Sequence, residues 1–189
     1  MRLTQQAHAA LAKILTPGDH AIDATCGNGY DTCFVAQQVG PTGRVLGIDI
    51  QPEAIRATRG ALEQAGCSGQ SILVQDSHAN MMAIADEHGL HAPMAVMFNL
   101  GYLPGTDKRI TTTVDTTIQA LNAARALLAP GGALSVMSYR GHSEGAHEHA
   151  AVVRWCQSAK ERGDTVQQRT APANGPVWSL VIKPRSGPA

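Results

Sequence analysis

Five short apolar runs in this chain each end in a residue able to do chemistry. Ala21-Ile22 runs into Asp23, and Gly27-Asn28-Gly29 follows four residues later. Arg44–Ile48 ends at Asp49, and Ser71–Gln75 at Asp76 and Ser77. Met94–Phe98 ends at Asn99, and Ala133–Ser138 at Tyr139, with Arg140 and His142 just beyond. A strand that meets a Gly-x-Gly turn and opens onto a helix makes a site for a nucleotide-type cofactor. Glycines let the backbone approach the ligand, and the helix start offers unpaired N–H groups. The carboxylate before the turn sets the charge the site prefers. Asp23 repels a pyrophosphate and welcomes an ammonium or sulfonium.

Two cofactors compete for such a turn. Dinucleotides use Gly-x-Gly-x-x-Gly and an acid about twenty residues on. Asp49 does lie twenty residues past Gly29, but Tyr30, Asp31 and Thr32 follow and the third glycine is missing. S-adenosyl-L-methionine has no phosphate, carries two cationic groups and presents a ribose diol. Asp23 suits its amino-acid end, Asp49 its diol, and Asp76 with Ser77 its adenine amino group. Gly27, Asn28, Gly29, Asp31, Gln51 and Asn99 complete the expected cofactor set. The competing reading leaves Gly27 and Gly29 as a tight turn only, and Asp49 as a cap for the helix at Pro52.

The elements that must hold these residues alternate along the chain. Helices are expected at Ala7–Leu15, Asp31–Val39, Glu53–Ala65 after Pro52, Asn80–Glu87, Thr113–Leu128 and His147–Glu161. Strands are expected at Ala21–Ala24, Arg44–Ile48, Ser71–Gln75, Met94–Phe98, Ala133–Ser138, Thr165–Arg169 and Val177–Ile182. Val114, Ile118, Leu121 and Leu128 mark one helix face, and Met94, Met97, Met137 and Trp178 read as core. Such alternation predicts a parallel sheet with helices on both faces, with ligands beyond the carboxyl ends of the strands. A chain of 189 residues fits one domain, with a frayed tail at 184–189.

Fifteen Lys and Arg balance fifteen Asp and Glu, so no global field draws the protein to nucleic acid or to an anionic membrane. The longest apolar runs are strand-length, so no membrane span is expected, and the N-terminus lacks a signal-peptide pattern. Cys26, Cys33, Cys67 and Cys156 form no C-x-x-C pair, which suits a reducing cytoplasm.

The arrangement resembles a Rossmann-like class I S-adenosylmethionine-dependent methyltransferase, a mostly parallel seven-stranded sheet with helices on both faces. Leu128-Ala129-Pro130-Gly131-Gly132 is similar to that superfamily's lead-in to the fifth strand. Within it, the chain is similar over about residues 5–183 to the family long labelled "putative rRNA methylase". The shared motifs are Asp23-Ala24-Thr25-x-Gly27-Asn28-Gly29-x-Asp31-Thr32, Asn99-Leu100-Gly101-Tyr102-Leu103-Pro104-Gly105-x-Asp107-Lys108, and Tyr139-x-Gly141-His142 with Gly145 and Glu148. Cys26 and Tyr30 stand where Met and His are commoner. The resemblance implies N-methylation of 5-aminomethyl-2-thiouridine at the tRNA wobble position. The partner it implies is a tRNA anticodon stem-loop, and the assembly a homodimer. The alternatives are a methyltransferase for another RNA or a small amine, and a binding module without catalysis.

On the acceptor side, an amine must present its lone pair in line with the transferable methyl. Asn99 can accept an N–H and hold that geometry, and Tyr102 can stack on a base. An alkyl amine is mostly protonated at neutral pH, so Asp31, Tyr139 and His142 are candidates to take its proton, and Asp31 can instead bind the cofactor's ammonium. Lys108, Arg109 and Arg140 are candidates for RNA phosphates. The stretch His142–His149 is dense in His and Glu but lacks metal-ligand spacing, so no metal is expected. Glu148 is expected to orient its neighbours or to cap the helix that follows. Residues 99–110 hold no cysteine, which argues against ring-carbon methylation through a thiolate.

Overall fold

The computed structural model describes residues 1–101, 112–140, 143–173 and 175–185. Its elements are α1 (Leu3–Leu11), β1 (His20–Asp23), α2 (Tyr30–Val39), β2 (Arg44–Asp49), α3 (Pro52–Gln64), β3 (Ser71–Gln75), α4 (Met81–Glu87), β4 (Ala95–Asn99), α5 (Val114–Leu127), β5 (Ala133–Ser138), α6 (Ser143–Glu161), β6 (Thr165–Thr170) and β7 (Val177–Ile182). The seven strands form one sheet in the order β3-β2-β1-β4-β5-β7-β6. All pairings from β3 to β5 are parallel, and β7 runs antiparallel to β5 and β6. The order reverses between β1 and β4, which opens the ligand crevice of a doubly wound sheet.

The two faces are legible in the strands' alternation. Ile22, Val96, Phe98, Leu134, Val136 and Val181 point into the core shared with α4, α5 and α6. Ala21, Ala95, Met97, Ala133, Met137, Trp178 and Leu180 point to the opposite core, with α1, α2 and α3. Successive side chains leave a strand on opposite faces, so both faces of the central strands must be apolar. Gly47 on β2 marks a close approach. A Cβ there would meet Leu73 Cδ2 at 2.7 Å and Cys26 Sγ at 2.8 Å, so the glycine lets the first turn settle onto β2.

Most boundaries fall within two residues of expectation; α1 lies four residues earlier at both ends, Leu3–Leu11 against Ala7–Leu15, and α6 starts earlier. Helix α1 begins at Leu3 because Gln5 Oε1 accepts the Arg2 N–H at 3.0 Å and caps the first turn. Helix α6 begins at Ser143, four residues before the expected His147. The buried face of α5 is Thr117, Ala120, Leu121 and Ala124. Of the expected face, Leu121 and Leu128 are buried, and Ile118 is partly buried. Met97, Met137 and Trp178 are buried as expected, and Met94 is partly buried. Among the described residues no helix is long and apolar enough to cross a membrane. The frayed tail expected at 184–189 lies outside the described residues from 186 on.

A fork of hydrogen bonds ties α5 to the turn before β6. Arg125 Nε donates to Asp164 Oδ2 at 2.5 Å and Nη2 to Oδ1 at 2.9 Å, with the Asp164 side chain fully buried. Removing one partner of such a pair strands the other charge. Asp164→Ala is expected to lower stability by about 3 kcal/mol in denaturant unfolding. A loss under about 1 kcal/mol would mean that the pair carries little of the packing.

Candidate active site

The first turn is built around a buried acid. Asp23 is 1 % exposed. Its Oδ1 accepts the Thr25 N–H at 3.2 Å and its Oδ2 the Thr32 hydroxyl at 2.5 Å. Burial first, then the charge of Asp31, pushes its carboxyl up to about 7; the two hydrogen bonds pull the other way, and Asp49 adds a smaller push. The chain folds back over this carboxylate only by entering the left-handed region at Gly27 (φ 53°) and Gly29 (φ 81°). A Cβ on Gly29 would also lie 2.9 Å from Thr58 Cα, so α3 closes on the turn through that glycine. The Thr58 hydroxyl donates to Gly27 O at 3.3 Å.

Asp49 holds the turn from the neighbouring strand. Its Oδ2 accepts the Gly27 N–H at 2.9 Å and its Oδ1 the Gln51 N–H at 2.9 Å. Gln51 is the N-terminal cap residue of α3, with Pro52 next. Asp49 therefore braces two backbone segments and does not itself cap the helix. At the end of β3, Asp76 Oδ1 accepts the Ser77 N–H at 2.6 Å and the Asn80 amide at 2.9 Å. The Ser77 hydroxyl accepts the Ala79 N–H at 3.2 Å and starts a short 3-10 turn.

Across the crevice, β4 and β5 end in a bonded pair. The Tyr139 hydroxyl donates to Asn99 Oδ1 at 3.0 Å, and the Asn99 N–H donates to the Thr25 hydroxyl at 2.7 Å. Asn99 is thus tied to the glycine turn on one side and to β5 on the other. Burial first, then the charge of Asp31, pushes the Tyr139 phenol up, so it stays protonated and serves as a donor at neutral pH. The segment after Asn99 is stitched at its two ends. Thr112 N–H donates to Gly101 O at 3.1 Å, and Gly101 N–H donates to the Thr112 hydroxyl at 2.9 Å. That hydroxyl donates on to Glu148 Oε2 at 2.8 Å, and the Thr117 hydroxyl donates to Glu148 Oε1 at 2.6 Å. Glu148, buried on α6, thereby ties α5 to Thr112 and, through that hydroxyl, to Gly101.

Asp31 opens α2 and meets a residue that sequence reasoning missed. His8 Nε2 lies 2.6 Å from Asp31 Oδ1, and its ring stacks on Phe34 at 3.9 Å. The pair joins α1 to α2, so only the folded chain brings it together. Arg140 is half-buried. Its Nη2 donates to Gly175 O at 3.2 Å, and its Nε is buried without a hydrogen-bond partner among the described residues. Asn28 and Tyr30 are exposed on the turn. Tyr102, Lys108, Arg109 and His142 lie outside the described residues. Burial and the charge of Asp23 push the Cys26 thiol well up, which disfavours a thiolate at the turn.

The donor set has one electrostatic character. Asp23, Asp31, Asp49 and Asp76 crowd the described ends of β1 to β3, while Arg140 turns to the β6–β7 connection. This charge fits a cationic ligand with a diol and opposes a pyrophosphate.

Comparison with known proteins agrees with this geometry. The family model "Putative rRNA methylase" matches residues 45–177, well over half the chain. The chloroplastic tRNA (mnm5s2U34)-methyltransferase of Arabidopsis thaliana is 41% identical over 159 residues, covering 80% of this chain. The chain spans 57% of the length of that relative. A "putative rRNA-methylase" from Clostridium thermocellum superposes with a TM-score of 0.89 at 37% identity, over 95% of this chain and 96% of that one. A "putative methyltransferase" from Streptococcus mutans, in complex with SAH, superposes with a TM-score of 0.84 at 28% identity, over 97% and 98% of the two chains.

The buried acid gives a pH test. Its folded value of about 7 lies above the ordinary aspartate value. The native chain therefore holds an extra proton between the two, and the stability this proton lends is full below about pH 4 and lost as pH rises through about 7. Between pH 5 and 8 the ligand-free wild type is expected to lose roughly 2 kcal/mol relative to Asp23→Asn, measured by denaturant unfolding. Parallel pH profiles for the two proteins would contradict it.

Proposed function

The chain belongs to the "putative rRNA methylase" family, and from that premise we propose that it is an S-adenosylmethionine-dependent methyltransferase acting on the amine of 5-aminomethyl-2-thiouridine at the tRNA wobble position. The observation that carries the reading is the Asn99–Tyr139 pair beside the Asp31 charge, bonded through Thr25 to the glycine turn. The named activity of the Arabidopsis relative and the SAH held by the S. mutans structure support it.

S-adenosylmethionine supplies an activated methyl group on a cationic sulfur. The backbone at Gly27 to Gly29 would hold its amino-acid end, Asp49 with Gln51 would hold the ribose diol, and Asp76 with Ser77 would hold the adenine amino group. Asp23, buried at the turn, would favour a cation there through its charge.

Tyr139 fixes the Asn99 amide, and Asn99 Oδ1 keeps a second lone pair for an N–H of the acceptor. That bond aims the amine's lone pair. The amine arrives as an ammonium and must give up a proton. Tyr139 keeps its own proton, which leaves Asp31 and His142 of the three candidates, and Asp31, whose charge reaches Tyr139, is the one we assign. Tyr102 for stacking, and Lys108 and Arg109 for phosphates, complete the RNA reading, which fits one loop nucleotide turned out of its stack.

Incubation with S-adenosylmethionine and tRNA bearing 5-aminomethyl-2-thiouridine is expected to yield a nucleoside heavier by one methyl, read by mass spectrometry. An isolated anticodon stem-loop is expected to compete. No transfer to tRNA, or transfer to ribosomal RNA alone, would overturn the substrate. Asn99→Ala is expected to slow transfer on the order of 100-fold with cofactor binding retained. Asp49→Ala is expected to weaken S-adenosylmethionine binding more than RNA binding, and equal losses would count against its diol role.

A further inference from the structure

We propose that His8 is a positioning residue for the acceptor: its imidazole holds the Asp31 carboxylate in the orientation that receives the acceptor's ammonium. The inference rests on the amine reading above and adds a residue from an element outside the motifs.

His8 stands on α1, whose buried face is Ala7 and Leu11 and which packs against β5 and β7. Its ring lies flat on Phe34, with centroids 3.9 Å apart and planes 3° from parallel. The stack leaves the imidazole little freedom about its own axis, so Nε2 faces Asp31 Oδ1 at 2.6 Å. An N–H aimed at a carboxylate makes a charge-assisted bond, short and strong. It occupies one oxygen of Asp31. The other, Oδ2, has no hydrogen-bond partner among the described residues.

The surroundings say what the free oxygen faces. The charge of Asp31 is felt by Asp23 beneath the turn and by Tyr139 at the end of β5. Asp31, in the first turn of α2, therefore lies within electrostatic reach of both the acid under the glycine turn and the phenol bound to Asn99. No Lys or Arg is paired with it among the described residues. A partly buried carboxylate with one oxygen held, the other without a partner among the described residues, and its charge felt by the phenol that binds Asn99, is a seat for an ammonium.

Two substitutions separate the donor from the ring. His8→Phe keeps an aromatic ring to stack on Phe34 and loses the N–H. His8→Gln loses the ring and keeps an N–H donor. The probes are two anticodon stem-loops, one with 5-aminomethyl-2-thiouridine and one with unmodified uridine at the wobble position, titrated in the presence of SAH. Wild type is expected to prefer the amine-bearing loop by about tenfold, H8F to lose that preference, and H8Q to recover most of it. Single-turnover methyl transfer is expected to follow the same order, while SAH affinity stays within about twofold in all three proteins. Equal behaviour of H8F and H8Q would overturn the proposal. So would a loss of SAH affinity in H8F as large as the loss for the amine-bearing loop, since Asp31 would then serve the cofactor. A wild-type preference that survives H8F overturns this inference alone. No preference in the wild type overturns the amine reading, and this inference with it.

Discussion

Burial of the Asp23 carboxylate is the constraint on which the carboxyl edge of the sheet depends. A carboxylate taken out of water is costly unless hydrogen bonds replace its hydration. Here the replacements are the Thr25 N–H and the Thr32 hydroxyl, and both come from the segment that follows the strand. The chain must curl over its own strand end to deliver them, which explains the left-handed residues at Gly27 and Gly29. Asp49 completes the brace from β2 through the Gly27 N–H. The turn's hydrogen bonds come from the chain itself, and its charge favours a cation over a pyrophosphate.

The same turn connects the two halves of the site. The Thr25 hydroxyl accepts the Asn99 N–H across the point where strand order reverses, and Asn99 in turn holds Tyr139. A shift of the first turn is thus transmitted to Asn99 through one hydrogen bond and on to Tyr139 through a second. Glu148 plays the matching part on the far side, where two threonine hydroxyls bind it to α5 and to the ends of the acceptor segment. Catalysis that depends on the line between an amine and a methyl group needs such stiffness.

Much of this was readable from residue order. Apolar runs ending in Asp23, Asp49, Asp76, Asn99 and Tyr139 are local signals, and parallel pairing puts those ends on one edge. The orientation of Asp23 was not readable. The residue looks like a ligand contact in sequence, and the fold turns its carboxylate inward, because only the closed turn shows that both oxygens are occupied. His8 was invisible for a related reason. Its partner lies on another helix, and in a pattern of apolar spacing it reads as an ordinary helical polar residue beside Ala7. Arg140 looked like a rim cation, but its reach to Gly175 depends on a hairpin that returns from β6. Local charge and turn chemistry survive in sequence, whereas side-chain pairs between distant elements do not.

The proposed role of the buried Asp23 carboxylate, making the glycine turn a cation site, is open to calorimetry of S-adenosylmethionine binding at pH 7 in buffers of different ionisation enthalpy. A cation arriving above the turn lowers the Asp23 value from about 7, so binding must expel a proton. The expected result is release of up to about half a proton per bound ligand, abolished in Asp23→Asn. Binding with no buffer dependence, or equal proton release in the two proteins, would contradict the account.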